Sequence, residues 1–131
     1  MLSDLKMTLN CAYNAISALT RAQYGHMVQF APVRNLMERA VAETLAVARA
    51  DGVPLAEQAM VEAAYRLADK MPAATSSTAQ DIARGRPTEI DSLNGYVVRR
   101  GAALGIATPV SEMLVTLVKL LEDSNIIRPA N

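Results

Sequence analysis

Apolar positions recur with a helical period along almost the whole chain. Leu2, Leu5, Leu9, Ala12, Tyr13, Ile16 and Leu19 fall on one stripe and predict a helix over about residues 3–22 that stops before Gly25. A loop through His26 to Pro32 follows. A second helix is predicted from near Pro32 or Arg34 to Ala50, with Leu36, Ala40, Val41, Leu45 and Ala48 inward, and Asp51-Gly52 ends it. Pro54 opens a third on Ala59, Met60, Ala63, Ala64, Leu67 and Met71, and Pro72 stops it. The hydroxyl run Thr75-Ser76-Ser77-Thr78 predicts the capped start of a short helix over about 76–84, broken by Gly85-Arg86-Pro87-Thr88. A fifth helix is predicted over about 88–104 with Ile90, Leu93, Val97 and Leu104 inward. Thr108-Pro109 starts a sixth, reaching about Asp123 on Met113, Leu114, Leu117, Val118 and Leu121. The tail from Asn125 to Asn131 is expected to fray. No segment alternates as a strand does, so the pattern predicts an all-α fold of about six helices.

Bulk composition narrows the function classes. At 131 residues the chain is expected to form one domain, 1–131, and 51% hydrophobic against 20% charged residues makes it globular. Thirteen basic and thirteen acidic residues cancel, and no basic block appears, so nucleic-acid binding has no electrostatic footprint. The longest apolar runs are far too short for a membrane span, and the N-terminus lacks a signal-peptide pattern. The single cysteine, Cys11, excludes an internal disulfide and suits the cytoplasm; beside a single histidine, His26, it makes no zinc-ligand pattern. Neither Gly-x-Gly-x-x-Gly nor Gly-Lys-Ser/Thr occurs, so the chain offers no nucleotide-phosphate cradle of its own.

Polar chemistry collects in two places. Lys6, Asn10 and Asn14 recur every four residues, which sets an amine and two amides in one row on a helix face beside the apolar stripe. Amides are weaker helix formers than Glu, Lys or Arg, but they offer donors and acceptors together, and the lysine adds a charge or a transferable proton. The row could equally cap or bridge neighbouring helices. The second cluster is Thr75 to Asp81 followed by Arg84 to Asp91 and Asn94-Gly95. Taken singly its members have structural readings: Ser76 and Ser77 as caps, Glu89 favoured by the dipole of a first helical turn. Asn94-Gly95 within the predicted fifth helix is harder to read that way, because glycine there costs about 1 kcal/mol against alanine. Taken together, a binding site is the better account. Cys11 reads as a small apolar group, the methionines as core filler, and Glu43 as an inward acid joining helices through hydrogen bonds.

These residues carry a resemblance. Lys6-Met-Thr-Leu-Asn10-Cys-Ala-Tyr-Asn14, then Ser76-Ser77-Thr78-Ala-Gln80-Asp81-Ile82, then Arg86-Pro-Thr-Glu89-Ile90-Asp91-Ser-Leu-Asn94-Gly95, then Gly105-Ile106-Ala-Thr-Pro109 resemble the C-terminal domain of ketopantoate reductase (2-dehydropantoate 2-reductase) over nearly the whole chain. The resemblance implies an all-α domain of the 6-phosphogluconate-dehydrogenase C-terminal-like type. In the family it packs on a Rossmann domain that binds NADPH, which is absent from this chain. The small 2-keto acid substrate lies between the domains, and hydride passes from the nicotinamide to the keto carbon, giving (R)-pantoate for pantothenate and coenzyme A.

Position by position, the resemblance implies Lys6 as the catalytic lysine, which holds the carbonyl oxygen and donates a proton. It implies Asn10 and Asn14 as amides holding the lysine or substrate, and Ser77 as a hydroxyl on a substrate oxygen. Glu89 would be the acid engaging the substrate hydroxyl or the lysine. Asp81 and Asn94 sit in family motifs with structural roles. Two positions depart from the family pattern: Thr78 where Met is usual, and Tyr24 where some members carry an amide. Helix one begins only about one turn before Lys6. The chain is therefore expected to be a domain expressed alone, a truncated product or half of a split enzyme, inactive by itself. The alternative is a catalytically silent helical module for dimerisation or small-acid binding. A homodimer is expected, because the face that would meet the Rossmann domain is open.

Overall fold

The computed structural model describes the backbone of residues 2–127 and the side chains of residues 5–124. Among these are seven α-helices and one 3-10 turn: α1 (Leu2–Thr20), α2 (Tyr24–Gln29), α3 (Ala31–Ala50), α4 (Glu57–Lys70), α5 (Ser77–Ala83), the 3-10 turn (Ile90–Ser92), α6 (Asn94–Leu104) and α7 (Pro109–Ile127). No strand occurs among the described residues, so the all-α class holds. The core lies around α1, which packs against α3, α4, α5 and α7. Every side chain from Cys11 to Ala18 is buried, so this stretch is enclosed on all sides rather than along one stripe. Its small residues Cys11, Ala12, Ala15 and Ala18 let neighbouring helices approach, and Tyr13 and Ile16 fill the space with Tyr24, Met27, Met37, Ile90, Leu114 and Val118.

The predicted stop of the second helix is observed. Gly52 takes a left-handed φ of +83° after α3, and the Val53 N–H donates to the Ala48 carbonyl at 2.9 Å while the Gly52 N–H donates to Arg49 at 2.9 Å. This pattern satisfies carbonyls that the helix end would leave free. Glu43 also does what the sequence predicts: its carboxylate accepts the N–H groups of Val110 at 2.9 Å and Ser111 at 2.8 Å, joining α3 to the first turn of α7.

Four expectations change. The segment from His26 to Pro32 is not a loop: α2 occupies it, its first N–H groups tied to the carbonyls of Ala74 and Pro72 at 2.9 Å each, and Pro32 falls in the first turn of α3. The third predicted helix starts at Glu57 rather than Pro54, because Val53 and Leu55 are still engaged in closing the preceding turn. The fifth is two elements. The chain breaks at Leu93 (φ −106°, ψ −103°), so Glu89 precedes a 3-10 turn and Asn94-Gly95 opens α6 instead of interrupting a helix. Gly95 is required by close approach: a Cβ there would lie 3.0 Å from the Ile90 carbonyl oxygen. On α7 the inward positions are Val110, Leu114 and Val118, while Met113 (46% exposed) and Leu117 (39%), predicted inward, form an outward stripe with Leu120 (61%). The apolar arc of α7 is wider than the surface offered to it. Of the tail expected to fray from Asn125 to Asn131, residues 125–127 continue α7 and residues 128–131 lie outside the described residues.

Candidate active site

The polar row of α1 runs from the surface into the protein. Lys6 is exposed, Asn10 half-buried and Asn14 3% exposed. At 1.5 Å rise per residue the row spans about 12 Å along the helix axis. Lys6 and Asn10 share an open hollow of about 370 Å³ whose apolar walls are Leu5 and Leu9 from α1 and Leu67 from α4.

Ser76 fixes the start of α5 against this row. Its Oγ accepts the Ala79 N–H at 3.0 Å, the cap the sequence predicts, and donates to the Asn14 carbonyl at 3.1 Å. Its own N–H donates to Ser17 Oγ at 3.1 Å. Ser76 is thereby fully occupied, and its neighbour Ser77 is exposed. Asn94 has the structural role given to it: Nδ2 donates to the Cys11 carbonyl at 3.1 Å, locking the start of α6 to α1 within the row's own stretch. The Asn94 Oδ1 and Ser111 Oγ atoms are buried without a partner among the described residues.

Glu89 is exposed on the turn between α5 and α6. On one side of it, Ile90 is anchored in the core. On the other, Glu122 Oε1 accepts both the N–H (3.1 Å) and the hydroxyl of Thr88. Among the described residues, the Lys6 amine, the Asn10 and Asn14 amides, the Ser77 hydroxyl and the Glu89 carboxylate form no side-chain hydrogen bond or ion pair. The structure brings Lys6 and Asn10 into one hollow and ties Asn14 to the Ser76-Ser77 helix start. Neither Ser77 nor Glu89 lines the hollow that Lys6 and Asn10 share.

The chemistry available in the hollow is that of a cation and an amide next to apolar walls, with the Asn14 amide, the Ser77 hydroxyl and the Glu89 carboxylate outside it. Cys11 adds nothing reactive: it is fully enclosed, and burial pushes its thiol up to about 12. His26 is exposed. No group of three or more metal-capable side chains occurs among the described residues. The described residues also do not fit a dinucleotide: seven helices without a strand provide no strand-to-helix glycine loop for the phosphates. The sequence reading missed Lys119 and Glu122 on α7. Lys119 Nζ contacts Asp91 Oδ2 at 2.8 Å.

Comparison with known proteins bears on this arrangement. Residues 5–122 match the model of a family described as the C-terminal domain of ketopantoate reductase PanE/ApbA. The chain belongs to this family. It is 42% identical over 118 residues to the 2-dehydropantoate 2-reductase of Pyrobaculum aerophilum, covering 90% of this chain and 42% of that protein. It is 36% identical over 121 residues to the Vibrio cholerae 2-dehydropantoate 2-reductase, covering 91% and 40%. Among solved structures, a PanE/ApbA family ketopantoate reductase from Ralstonia eutropha superposes with a TM-score of 0.89 at 49% identity, over 94% of this chain and 41% of that one. D-Mandelate dehydrogenase bound to NADH and anilino(oxo)acetate superposes with a TM-score of 0.88 at 25% identity, over 92% and 51%. The chain thus spans about two fifths of the length of the reductases it matches.

Proposed function

We propose that this chain is the substrate-side half of an NADPH-dependent 2-dehydropantoate 2-reductase, incomplete without a nucleotide-binding domain. The observation that carries the reading is the uncommitted polar row of α1: an exposed amine and a half-buried amide sharing an apolar-walled hollow, in a chain of this family. In this reading Lys6 donates a hydrogen bond to the keto oxygen, stabilises the negative charge that develops there and supplies the proton of the product hydroxyl. Asn10 and Asn14 hold the lysine and substrate in register. Ser77 donates to a substrate oxygen, and Glu89 accepts from the substrate hydroxyl or from Lys6. NADPH belongs to the separate domain, and this chain binds, orients and protonates the acid. A small 2-keto acid in the cytoplasm is the proposed substrate class. The superposition on D-mandelate dehydrogenase supports 2-keto acids as the wider class.

The test fuses the nucleotide-binding half of the Ralstonia eutropha reductase ahead of Lys6 and follows NADPH-dependent reduction of 2-dehydropantoate. The fusion is expected to turn over and the isolated chain is not. Lys6→Ala in the fusion is expected to cost about 10²–10⁴-fold, the usual contribution of a general acid. Activity unchanged by Lys6→Ala removes the lysine from the mechanism, and NADPH-dependent turnover by the chain alone removes the half-enzyme reading.

We also propose a homodimer. Support comes from the outward stripe Met113, Leu117 and Leu120 on α7. Sedimentation at tens of micromolar (roughly the range of a moderate association) is expected to show a dimer that Leu117→Glu dissociates. A monomer at that concentration excludes the dimer.

A further inference from the structure

The turn that carries Glu89 is held from a helix the site has not so far involved. Glu122, in the C-terminal half of α7, accepts the Thr88 N–H at 3.1 Å and the Thr88 hydroxyl on the same Oε1 atom. Thr88 Oγ1 in turn accepts the Ile90 N–H at 3.3 Å, so one carboxylate fixes both residues flanking Glu89. Beyond Ile90, Asp91 is tied to Lys119 of α7 at 2.8 Å and its carbonyl to Arg99 Nη2 of α6 at 2.8 Å. The two tethers are unequal. Lys119 and Asp91 are 49% and 60% exposed, and an ion pair so exposed contributes little. The Glu122–Thr88 contact is partly buried, and its bonds are charge-assisted. Among the described residues Glu89 itself has no side-chain partner, so its backbone determines where its carboxylate points.

We propose that Glu122 is a positioning residue: by clamping Thr88 it fixes the turn that presents the Glu89 carboxylate to the keto acid. The proposal rests on the reading of Glu89 as a substrate-binding group. A residue that acts through another loses its effect when that other is removed, whereas a residue that merely stabilises the fold does not. The clamp therefore has a signature that stability alone cannot imitate.

The experiment titrates the ¹⁵N-labelled chain with 2-dehydropantoate and reads affinity from amide shifts, alongside amide hydrogen exchange at Thr88 and Ile90. Glu122→Ala is expected to weaken binding about three- to tenfold, the net weight of one hydrogen bond, and to speed exchange at both amides. Glu122→Gln keeps an oxygen on Thr88 and is expected to restore affinity to within about twofold. Asp123→Ala, on the exposed neighbour, serves as the unaffected control. In a Glu89→Gln background, adding Glu122→Ala is expected to cause no further loss of affinity. Equal loss with Glu89 and with Gln at that position overturns the proposal, as does an affinity untouched by Glu122→Ala. A wild-type chain that does not bind the acid overturns the substrate reading and the proposal with it. Binding with a harmless Glu122→Ala overturns the proposal alone.

Discussion

Removing the carboxylate of Glu43 should loosen the junction of α3 and α7 by an amount the geometry fixes. The side chain accepts two N–H groups of the first turn of α7, at 2.9 and 2.8 Å. Hydrogen bonds to a charged group are worth about 1.5–3 kcal/mol each, and the positive end of the helix dipole adds about 0.3–1 kcal/mol. The Ser111 hydroxyl, buried beside this cap, has no partner among the described residues, so the carboxylate is what holds the turn. Glu43 is only half-buried, so water recovers part of what Glu43→Ala removes. The net cost is then about 2–4 kcal/mol. Glu43→Gln keeps one acceptor without the charge and should cost about 1–2 kcal/mol. At an unfolding entropy of about 2.1 cal/mol/K per residue, Glu43→Ala lowers the melting temperature by roughly 7–14 °C. Urea denaturation and calorimetry measure both variants. A Glu43→Ala protein within about 0.5 kcal/mol of the parent, the usual range for surface changes, would show that water replaces the carboxylate and that the cap is not a fastening.

Two further perturbations follow from burial and packing. Burial raises the Cys11 thiol from 9.0 to about 12, so the unfolded chain loses this proton first as pH rises. Stability should fall between pH 9 and 10 with a slope of up to roughly 1.4 kcal/mol per unit. Cys11→Ala should flatten that slope, and an unchanged slope refutes the assignment. Gly95→Ala gains about 1 kcal/mol of helix propensity but places a Cβ 3.0 Å from the Ile90 carbonyl oxygen and 3.2 Å from Asp91 Oδ1. Overpacking of about 1–3 kcal/mol should outweigh the gain, and a stabilised variant in urea would contradict it.

Much of the fold was legible because helical periodicity survives in α1, α3, α4 and α7, and because Gly52, Ser76 and Pro109 mark ends by mechanisms that act within a few residues. What was not legible depends on distant partners. The six-residue α2 is too short to show a period, and carbonyls of Pro72 and Ala74, far along the chain, satisfy its first N–H groups. The break at Leu93 follows from seating Ile90 in the core while Asn94 reaches Cys11. Met113 and Leu117 look inward by composition, and only the packing of α7 reveals that Leu114 and Val118 take the available surface. Of the site, the four-residue spacing of Lys6, Asn10 and Asn14 was visible directly. The tether of Glu122 to Thr88 was not, since a glutamate near the end of an amphipathic helix ordinarily faces water.

The distribution of hydrogen bonds separates structure from site more sharply than position does. Most polar groups that hold the fold are occupied, Asn94 Oδ1 and Ser111 Oγ excepted: Glu43 on two amides, Ser76 on three groups, Thr44 on the Ala40 carbonyl, Glu122 on Thr88. Among the described residues, Lys6, Asn10, Asn14, Ser77 and Glu89 make no side-chain hydrogen bond or ion pair. For Lys6, Ser77 and Glu89, exposed to water, that costs little. Asn14 is only 3% exposed, yet its unpaired amide is not among the side-chain atoms sealed from solvent, so water can satisfy it at modest cost. Leucine at this position keeps the branching of the side chain but puts two larger methyl groups where the amide stood, with no donor or acceptor. A purely structural helix has no reason to keep the amide, whereas a helix that must present donors and acceptors to a small acid does. Asn14→Leu is therefore expected to abolish binding of the acid in a titration, while urea denaturation shows an overpacking cost of about 1–3 kcal/mol rather than unfolding.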